Sequence, residues 1–241
     1  MHRPQLLSLV VVVLLLAGCA VPFGTQLVPR GPLVTKEYDL GNFTAVSASS
    51  AFQVEITQSD LKYSVSVTVN ENLVDRLDVG VSGNTLRIGL MPGYALTGAG
   101  TMIAKVTMPE LVGLDLSGAT RTTLAGFNSD KSLKAEVSGA STLRGDLVCV
   151  DASFNASGAS KVSLDGSAKD LNVEASGAST VDLGDFASKN TTVNASGASK
   201  VVVAPSGSLD VEASGASTVS YIGEPAKLRM NASGASSVEQ K

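Results

Sequence analysis

The chain has 241 residues, a net charge of −4 and 4% aromatic residues, with no tryptophan. The acidic balance argues against nucleic-acid binding, which needs a basic surface, and the scarcity of aromatic rings argues against stacking platforms for bases or sugars. The only histidine is His2, so a chain that loses its first residues has no imidazole for acid–base catalysis or metal binding. We expect no cofactor and no metal.

Residues 1–18 have the pattern of a secretory signal peptide. Arg3 precedes an apolar run, Leu6 to Leu16, that is too short to span a bilayer. The run ends in Leu-Ala-Gly-Cys, which resembles the lipobox of bacterial lipoproteins. That resemblance implies cleavage before Cys19 and lipidation of its sulfur, and two or more acyl chains anchor a protein stably. The membrane is therefore the first expected partner, in the cell envelope, at the outer membrane in a Gram-negative cell.

The next segment, residues 19–32, predicts a flexible tether because it contains three prolines, two glycines and no periodicity. Strands follow in residues 33–110, where stretches such as "FQVEITQ" and "TMIAKVTM" alternate apolar and polar residues. "SGN" at Ser82 predicts a hairpin turn between two of them. No stretch after Leu16 keeps a helical period, so we expect very low helix content.

Residues 111–241 are repetitive. Ser-Gly-Ala-Ser/Thr begins seven times, at an average interval of about 19 residues, and a fixed short period is the signature of a solenoid. Counted from each first serine, positions −3, −1, +5 and +7 are apolar and share one parity, so they line the inside of a flattened tube. The sequence predicts an all-β, parallel β-solenoid, a right-handed β-helix with coils of about 19 residues.

The Ser-Gly-Ala-Ser motif itself has two structural interpretations. Continued alternation points the glycine and the second serine inward, where only small groups fit. Alternatively the motif is a bend, in which glycine supplies positive φ and the serines bond to nearby backbone. A serine nucleophile would need an adjacent base, and the usual one, histidine, is missing beyond residue 2.

Two outward columns alternate along the repeats. At position −2, acids alternate with asparagine from Glu136 onward, and at +4 threonine alternates with lysine, as at Lys161 and Lys200. Stacked strands are about 4.8 Å apart, so charges on alternate coils avoid repulsion between neighbours. The regularity fails in residues 89–105, around Pro92 and Tyr94. If a partner binds, we expect it at this loop or on the outer faces near the two lysines.

Acidic side chains offer one alternative function. Asp146, Asp151 and Asp165, with Arg144 and Lys161 nearby, would have to converge in a groove to form a carbohydrate-active enzyme on a β-helix scaffold. The coils carry no long insertions to build such a groove, so we interpret these residues as solvated turn charges. Cys149, in an apolar stretch, is interpreted as a buried small residue.

The order of strands, "FTAVSASSAFQVEITQ", "VSGNTLRIGL" and then "MPELVGLDLSGAT" passing into serial "SGAS" coils, resembles the putative auto-transporter adhesin, head GIN domain family. The likeness runs from about Tyr38 to the C-terminus. The resemblance implies a β-solenoid fold and an envelope location, and it supplies no catalytic residues to carry over. Because the chain stops at Lys241, with no room for a translocating barrel, lipid is the expected attachment.

These observations favour a non-enzymatic, lipid-anchored envelope β-solenoid that acts as an adhesin or as a structural or interaction module. The alternatives are the carbohydrate-active enzyme and a periplasmic sensor or assembly partner. The last repeat, "NASGASSVEQK", ends without an amphipathic cap, and unpaired edges invite association. We therefore expect weak self-association through the C-terminal coil.

Overall fold

The computed structural model describes residues 24–241, which form a parallel β-solenoid. Strands make up 63% of the described residues and helix 3%, and about six turns follow one another at intervals of about 20 residues. The predicted all-β solenoid with very low helix content is confirmed. The predicted signal peptide and Cys19 lie outside the described residues. Within residues 24–241, no helix has the length and apolarity needed to cross a membrane.

Twenty strands and one short 3-10 helix, Glu71–Arg76, make up the regular structure of the described residues. The N-terminal strands are β1 (Thr25–Leu27), β2 (Leu33–Tyr38), β3 (Ala45–Ala48), β4 (Gln53–Gln58), β5 (Ser64–Asn70), β6 (Leu77–Ser82), β7 (Thr85–Leu90), β8 (Tyr94–Leu96) and β9 (Met102–Met108). The repeat region holds β10 (Gly113–Leu116), β11 (Arg121–Asn128), β12 (Leu133–Val137), β13 (Thr142–Val148), β14 (Asp151–Ala156), β15 (Lys161–Ala175), β16 (Thr180–Ala195), β17 (Lys200–Ala213), β18 (Thr218–Tyr221), β19 (Lys227–Ala232) and β20 (Ser237–Gln240).

Each coil gives one strand to a front sheet, before the Ser-Gly-Ala-Ser corner, and one to a back sheet, after it. The front sheet runs β6-β7-β3-β10-β12-β14, continues through the C-terminal halves of β15, β16 and β17, and ends at β19. The back sheet runs β2-β5-β9-β4-β11-β13, continues through the N-terminal halves of the same three strands, and ends at β18 and β20.

The core lies between the two sheets and is filled by the four columns that the parity of the sequence predicts. In one coil Val173, Ala175, Val181 and Leu183 are each at most 2% exposed, while Glu174 between the first two points outward. Parallel register repeats the same residue types above and below, so the columns are continuous. Full burial of each valine or leucine contributes roughly 1.5–3 kcal/mol.

Residues 33–110 form the first coils of the solenoid together with a cap, by which we mean the strands β2, β5 and β6 and the 3-10 helix. Strands β3, β4, β7 and β9 run parallel to the coils, but β2, β5 and β6 are antiparallel to their neighbours. The segment predicted as the N-terminal β-strand portion of the solenoid thus combines parallel coil strands with antiparallel pairs. The 3-10 helix places the fully buried Leu73 against the core. The predicted hairpin is confirmed, with Gly83 at φ +62° between β6 and β7.

Strand β1 lies inside the segment predicted to be a flexible tether. It pairs in parallel with β8, and the Thr25 amide donates to the Gly93 carbonyl at 2.7 Å. A Cβ built on Gly24 would stand 2.6 Å from that same carbonyl oxygen, so the glycine permits the close approach. The tether prediction is wrong for residues 24–27, which are bound along the domain.

The Ser-Gly-Ala-Ser corners are bends, which decides between the two interpretations. The seven motif glycines have φ between +69° and +74°, a region that glycine occupies without steric cost. From the second corner onward, the alanine amide donates to the glycine carbonyl of the preceding coil at 2.7–2.8 Å. From Gly139 onward, a Cβ on the motif glycine would lie 2.6–2.8 Å from that carbonyl oxygen. Glycine is therefore required by conformation and by space.

The second serine of each motif points inward, as the parity indicated. Ser141, Ser160, Ser179, Ser199 and Ser217 are at most 2% exposed. The last three donate their hydroxyls to backbone carbonyls of the preceding coil, Ser179 to Ala156 at 3.2 Å among them. The hydroxyls of Ser141 and Ser160 have no hydrogen-bond partner in the described part of the chain. The serine column thus bridges coils only in the C-terminal half.

The Gly177→Ala variant tests the corner. It forces a side chain into left-handed backbone and against the Gly158 carbonyl, so we expect the free energy of unfolding to fall by roughly 2 kcal/mol or more. Ala178→Ser, at the exposed next position, is the matched control and should change stability little. Urea unfolding followed by circular dichroism measures both, and equal midpoints for the two variants would contradict the steric argument.

A pair of serine variants tests the inner column. Ser179→Ala removes a buried hydrogen bond and should destabilise the protein by about 1 kcal/mol. Ser160→Ala removes a buried hydroxyl that has no partner, so it should be neutral or stabilising. The same urea unfolding experiment compares them. If Ser160→Ala destabilises as much as Ser179→Ala, the two hydroxyls have equivalent partners and the distinction is wrong.

Candidate functional site

A row of cations follows the back sheet along the solenoid axis. Parallel register places Arg121, Thr142, Lys161, Thr180 and Lys200 at successive positions of one column. All three cations are exposed. Because neighbouring strands are about 4.8 Å apart, successive cations stand about 10 Å apart, with a threonine between them. We call Arg121, Lys161 and Lys200 the cationic row.

The cationic row is free of ion pairs. The described residues contain six ion pairs, and none involves a member of the row. The acids of the −2 column cannot reach these cations from their own strands, because they project from the front sheet. Arg144, which lies in the next outward column, also takes part in none of these six ion pairs. A depression of about 390 Å³ lies between Arg121 and Arg144, with Gln53 and Thr123 at its edge.

The front sheet carries the complementary acidic column. Glu174 is flanked in register by Asn155 on one side and Asn194 on the other, so the predicted separation of like charges is present. The Asn155 amide donates to the Glu174 carboxylate at 3.4 Å. The column borders a groove of about 440 Å³ that also exposes the first serines of the motifs. The acidic −2 column and the cationic row therefore lie on opposite sheets of the repeat region.

The loop around Tyr94 occupies the place of a Ser-Gly-Ala-Ser corner, between β7 and β9. Its Tyr94 ring is half-buried, with the Arg76 guanidinium 5.0 Å from the ring centre. The Thr97 hydroxyl donates to the Gln26 side chain at 3.0 Å, which ties the loop to β1. Pro92 is exposed. Tyr94 is thus engaged within the domain, and the structure does not bring it near Lys161 and Lys200.

The acidic residues that would form the carbohydrate-active site lie in two separate places. Asp146 and Asp165 are register partners on the back sheet, and Asp146 accepts a hydrogen bond from the Gly126 amide at 2.8 Å. Asp151 begins a front-sheet strand and is in register with Asp170. A hydrogen bond from Asn190, at 2.6 Å, lowers the pKa of Asp170, which keeps it charged at neutral pH. The three acids predicted as a cluster do not share one groove.

Cys149 is buried, as predicted. Burial raises the pKa of its thiol to about 11, so the sulfur stays protonated near neutral pH. Since the thiolate is the nucleophilic form, this cysteine is poorly suited to covalent chemistry. Within residues 24–241, no three His, Cys, Asp or Glu side chains are arranged to hold a metal ion.

The sequence interpretation named Lys161 and Lys200 as contact residues but not Arg121 or Arg144. Arg121 belongs to the same +4 column, which the repeat count already indicates and the register confirms. Arg144 belongs to the +6 column, and its proximity to Arg121 depends on the stacking of β11 on β13. Cys19, the predicted lipidation site, lies outside the described residues.

The model of the family described as "Putative auto-transporter adhesin, head GIN domain" matches residues 42–225. The chain belongs to this family. The function of this family is unknown, and no catalytic activity is attributed to it. Its adhesin-like character points to a bacterial surface or envelope location. No curated protein matches the sequence.

Solved structures share the fold at low sequence identity. The crystal structure of a putative adhesin from Bacteroides fragilis superposes with a TM-score of 0.83 at 20% identity, over 89% of this chain and 100% of that one. A putative lipid binding protein from Parabacteroides distasonis and a putative adhesin from Parabacteroides merdae each give 0.65 at 18% identity, over 90% of this chain and 99% of theirs. At these identities the comparison establishes the fold alone.

Proposed function

We propose that this protein is a non-enzymatic, lipid-anchored interaction module of the cell envelope, of the adhesin type. The observation that carries the proposal is the cationic row, a straight set of unpaired charges fixed on a rigid sheet. Side chains that stabilised the solenoid through ion pairs would have partners, and these have none among the described residues. Exposed charges without partners on a rigid scaffold are suited to binding another molecule.

A non-catalytic role fits the chemistry of the described surface. Asp146 and Asp151 lie on different sheets, and the thiol of Cys149 is held protonated. The second serines of the motifs donate to backbone carbonyls or lie buried without a partner among the described residues, so none of them is paired with a general base. These features support an interaction module over the carbohydrate-active enzyme.

The binding role is tested by coating fluorescent beads with residues 24–241, which contain the continuous core described above. We expect the beads to adhere to intact bacterial or host cells and to detach as salt rises, because exposed ionic contacts are screened. Beads coated with the Arg121→Thr/Lys161→Thr/Lys200→Thr variant should adhere less. Adhesion that is equal for both proteins and insensitive to salt would remove the observation on which the proposal rests.

Lipid attachment at Cys19 is tested with the full chain expressed in a bacterial cell that is fed an alkyne-labelled fatty acid. The native chain should carry the label and sediment with membranes, and Cys19→Ser should lose both properties. Cys149→Ser is the matched control, since these are the two cysteines of the sequence, and it should keep both. Label retained in Cys19→Ser would disprove the anchor.

Self-association through the C-terminal coil is a second proposed property. Strands β19 and β20 have partners on one side only among the described strands, and the inward residues Leu228 and Met230 are 43% and 48% exposed. The N-terminal edge strands β2 and β6 also have partners on one side only among the described strands, but the 3-10 helix buries Leu73 against the core at that end. The contact we propose therefore joins the C-terminal coils of two copies.

In sedimentation velocity over a wide concentration range, residues 24–241 should show a weak monomer–dimer equilibrium. Met230→Lys should shift it toward monomer, because it places a charge in the apolar contact. Arg229→Ser, on the outward side of the same strand, is the control and should leave it unchanged. A native chain that is monomeric at every concentration would contradict the proposal.

A further inference from the structure

The cationic row has a repeat distance as well as a charge. Its three cations occupy every second coil, and the coils between them place Thr142 and Thr180 in the same column. The register is fixed by backbone hydrogen bonds, so the row is straight and its spacing of about 10 Å cannot vary freely. A ligand that matches the row must be linear, must carry negative charge at a similar repeat, and must present polar groups between its charges.

We propose that the back sheet binds a linear acidic polysaccharide that carries one carboxylate per disaccharide, with the polymer lying along the solenoid axis. This inference rests on the proposed interaction role and names its partner. Each carboxylate meets one cation of the row. The neutral sugar between two acids lies over a threonine, whose hydroxyl both donates and accepts hydrogen bonds. Charge on alternate sugars thus matches charge on alternate coils.

The depression between Arg121 and Arg144 is the part of this surface that we expect to bind a carboxylate most tightly. Two guanidinium groups border a space of about 390 Å³, together with the hydroxyl-bearing Thr123 and Thr142. Guanidinium groups bind carboxylates through two parallel hydrogen bonds, which fixes the orientation of the anion as well as attracting it. The neighbouring acid Glu55 pairs with Lys105 at 3.3 Å, so part of its charge is already compensated. We place one uronate carboxylate here.

Other polyanions fit the row less well. An acidic peptide in a specific complex needs aromatic or aliphatic anchors in apolar pockets, and the outward column from Arg121 to Lys200 consists of cations and threonines. An anionic membrane presents mobile charges over a plane, which a single file of separated cations does not exploit. A polymer with regularly spaced carboxylates and many hydroxyls uses every member of the column.

One acid opposes the proposed ligand. Asp182 lies on the outward side of β16, beside Thr180 and between the levels of Lys161 and Lys200. Its carboxylate would repel a polyanion lying over the row. The surface is therefore expected to bind weakly at each contact and to depend on several contacts along one chain. Binding should consequently increase with polymer length and decrease as salt rises.

The test measures binding of the detergent-solubilised full chain to immobilised hyaluronan, a polymer with one carboxylate per disaccharide. The variant Arg121→Thr/Lys161→Thr/Lys200→Thr removes the row, using the residue that already occupies this column on the intervening coils. We expect its affinity to fall at least about ten-fold, the combined effect of losing three exposed ionic contacts. Asp182→Asn should bind more tightly than the native chain.

The matched control removes three cations from the front sheet instead. Lys134→Thr/Lys227→Thr/Arg229→Thr changes net charge by the same amount, and two of its members pair with acids there. Its affinity should change by less than about two-fold. Equal losses in both triple variants would show that only net charge matters and would overturn the proposal. Circular dichroism establishes that every variant is folded.

Three further probes complete the test. Neutral dextran should not bind, and polyglutamate at matched charge should bind more weakly than hyaluronan. Polyglutamate or anionic phosphatidylglycerol vesicles binding as tightly as hyaluronan would overturn the proposal, as would absence of hyaluronan binding. If the coated beads adhere to cells but the protein binds no hyaluronan, the polysaccharide proposal is wrong and the interaction role stands. If neither bead adhesion nor hyaluronan binding is seen, both proposals are wrong.

Discussion

The close approach of consecutive corners determines the rest of this structure. From the second Ser-Gly-Ala-Ser bend onward, a backbone amide of one coil reaches the glycine carbonyl of the coil before it at 2.7–2.8 Å, in left-handed backbone. No side chain fits between the two. The distance between coils is thereby set at the corner as well as in the sheets. Every inner and outer column inherits its register from that spacing, including the apolar core and the cationic row.

The sequence predicted the repeat region well because two periods coincide there. The alternation of strands gives the inner and outer faces, and the repeat of about 19 residues aligns equivalent positions, so Val173, Glu174 and Lys161 could each be assigned a column. The same reasoning could not detect the cap, because alternation is identical in parallel and antiparallel strands. It also missed the first corner, where Ser50 and Ala51 take φ values of +62° and +64° without glycine. Contacts between distant segments, such as β1 with β8, leave no periodic signal.

Charge alternation along the coils has two effects on the repeat region. Within a column, it keeps Glu174 apart from the next carboxylate and lets Asn155 donate a hydrogen bond to it. Between columns, it places the acidic −2 column on the front sheet and the cationic row on the back. A pattern that reduces repulsion inside the solenoid therefore also leaves cations without partners on one face. Stability and the proposed polyanion-binding surface therefore depend on the same arrangement.

The pairing of β1 with β8 gives the domain a mechanical property. A pull on the chain at its N-terminal side acts first on this three-residue ladder, whose hydrogen bonds open one after another when an end is lifted. The coils that follow are joined by long hydrogen-bonded ladders in two sheets, so they resist the pull as one unit. Release of residues 24–27 would extend the chain ahead of the domain by at most about 13 Å, while residues 28–32 stay hydrogen-bonded to Asn70, Glu71 and Asn72. The N-terminal segment can thus absorb a sudden load as an extensible link ahead of a stiff body.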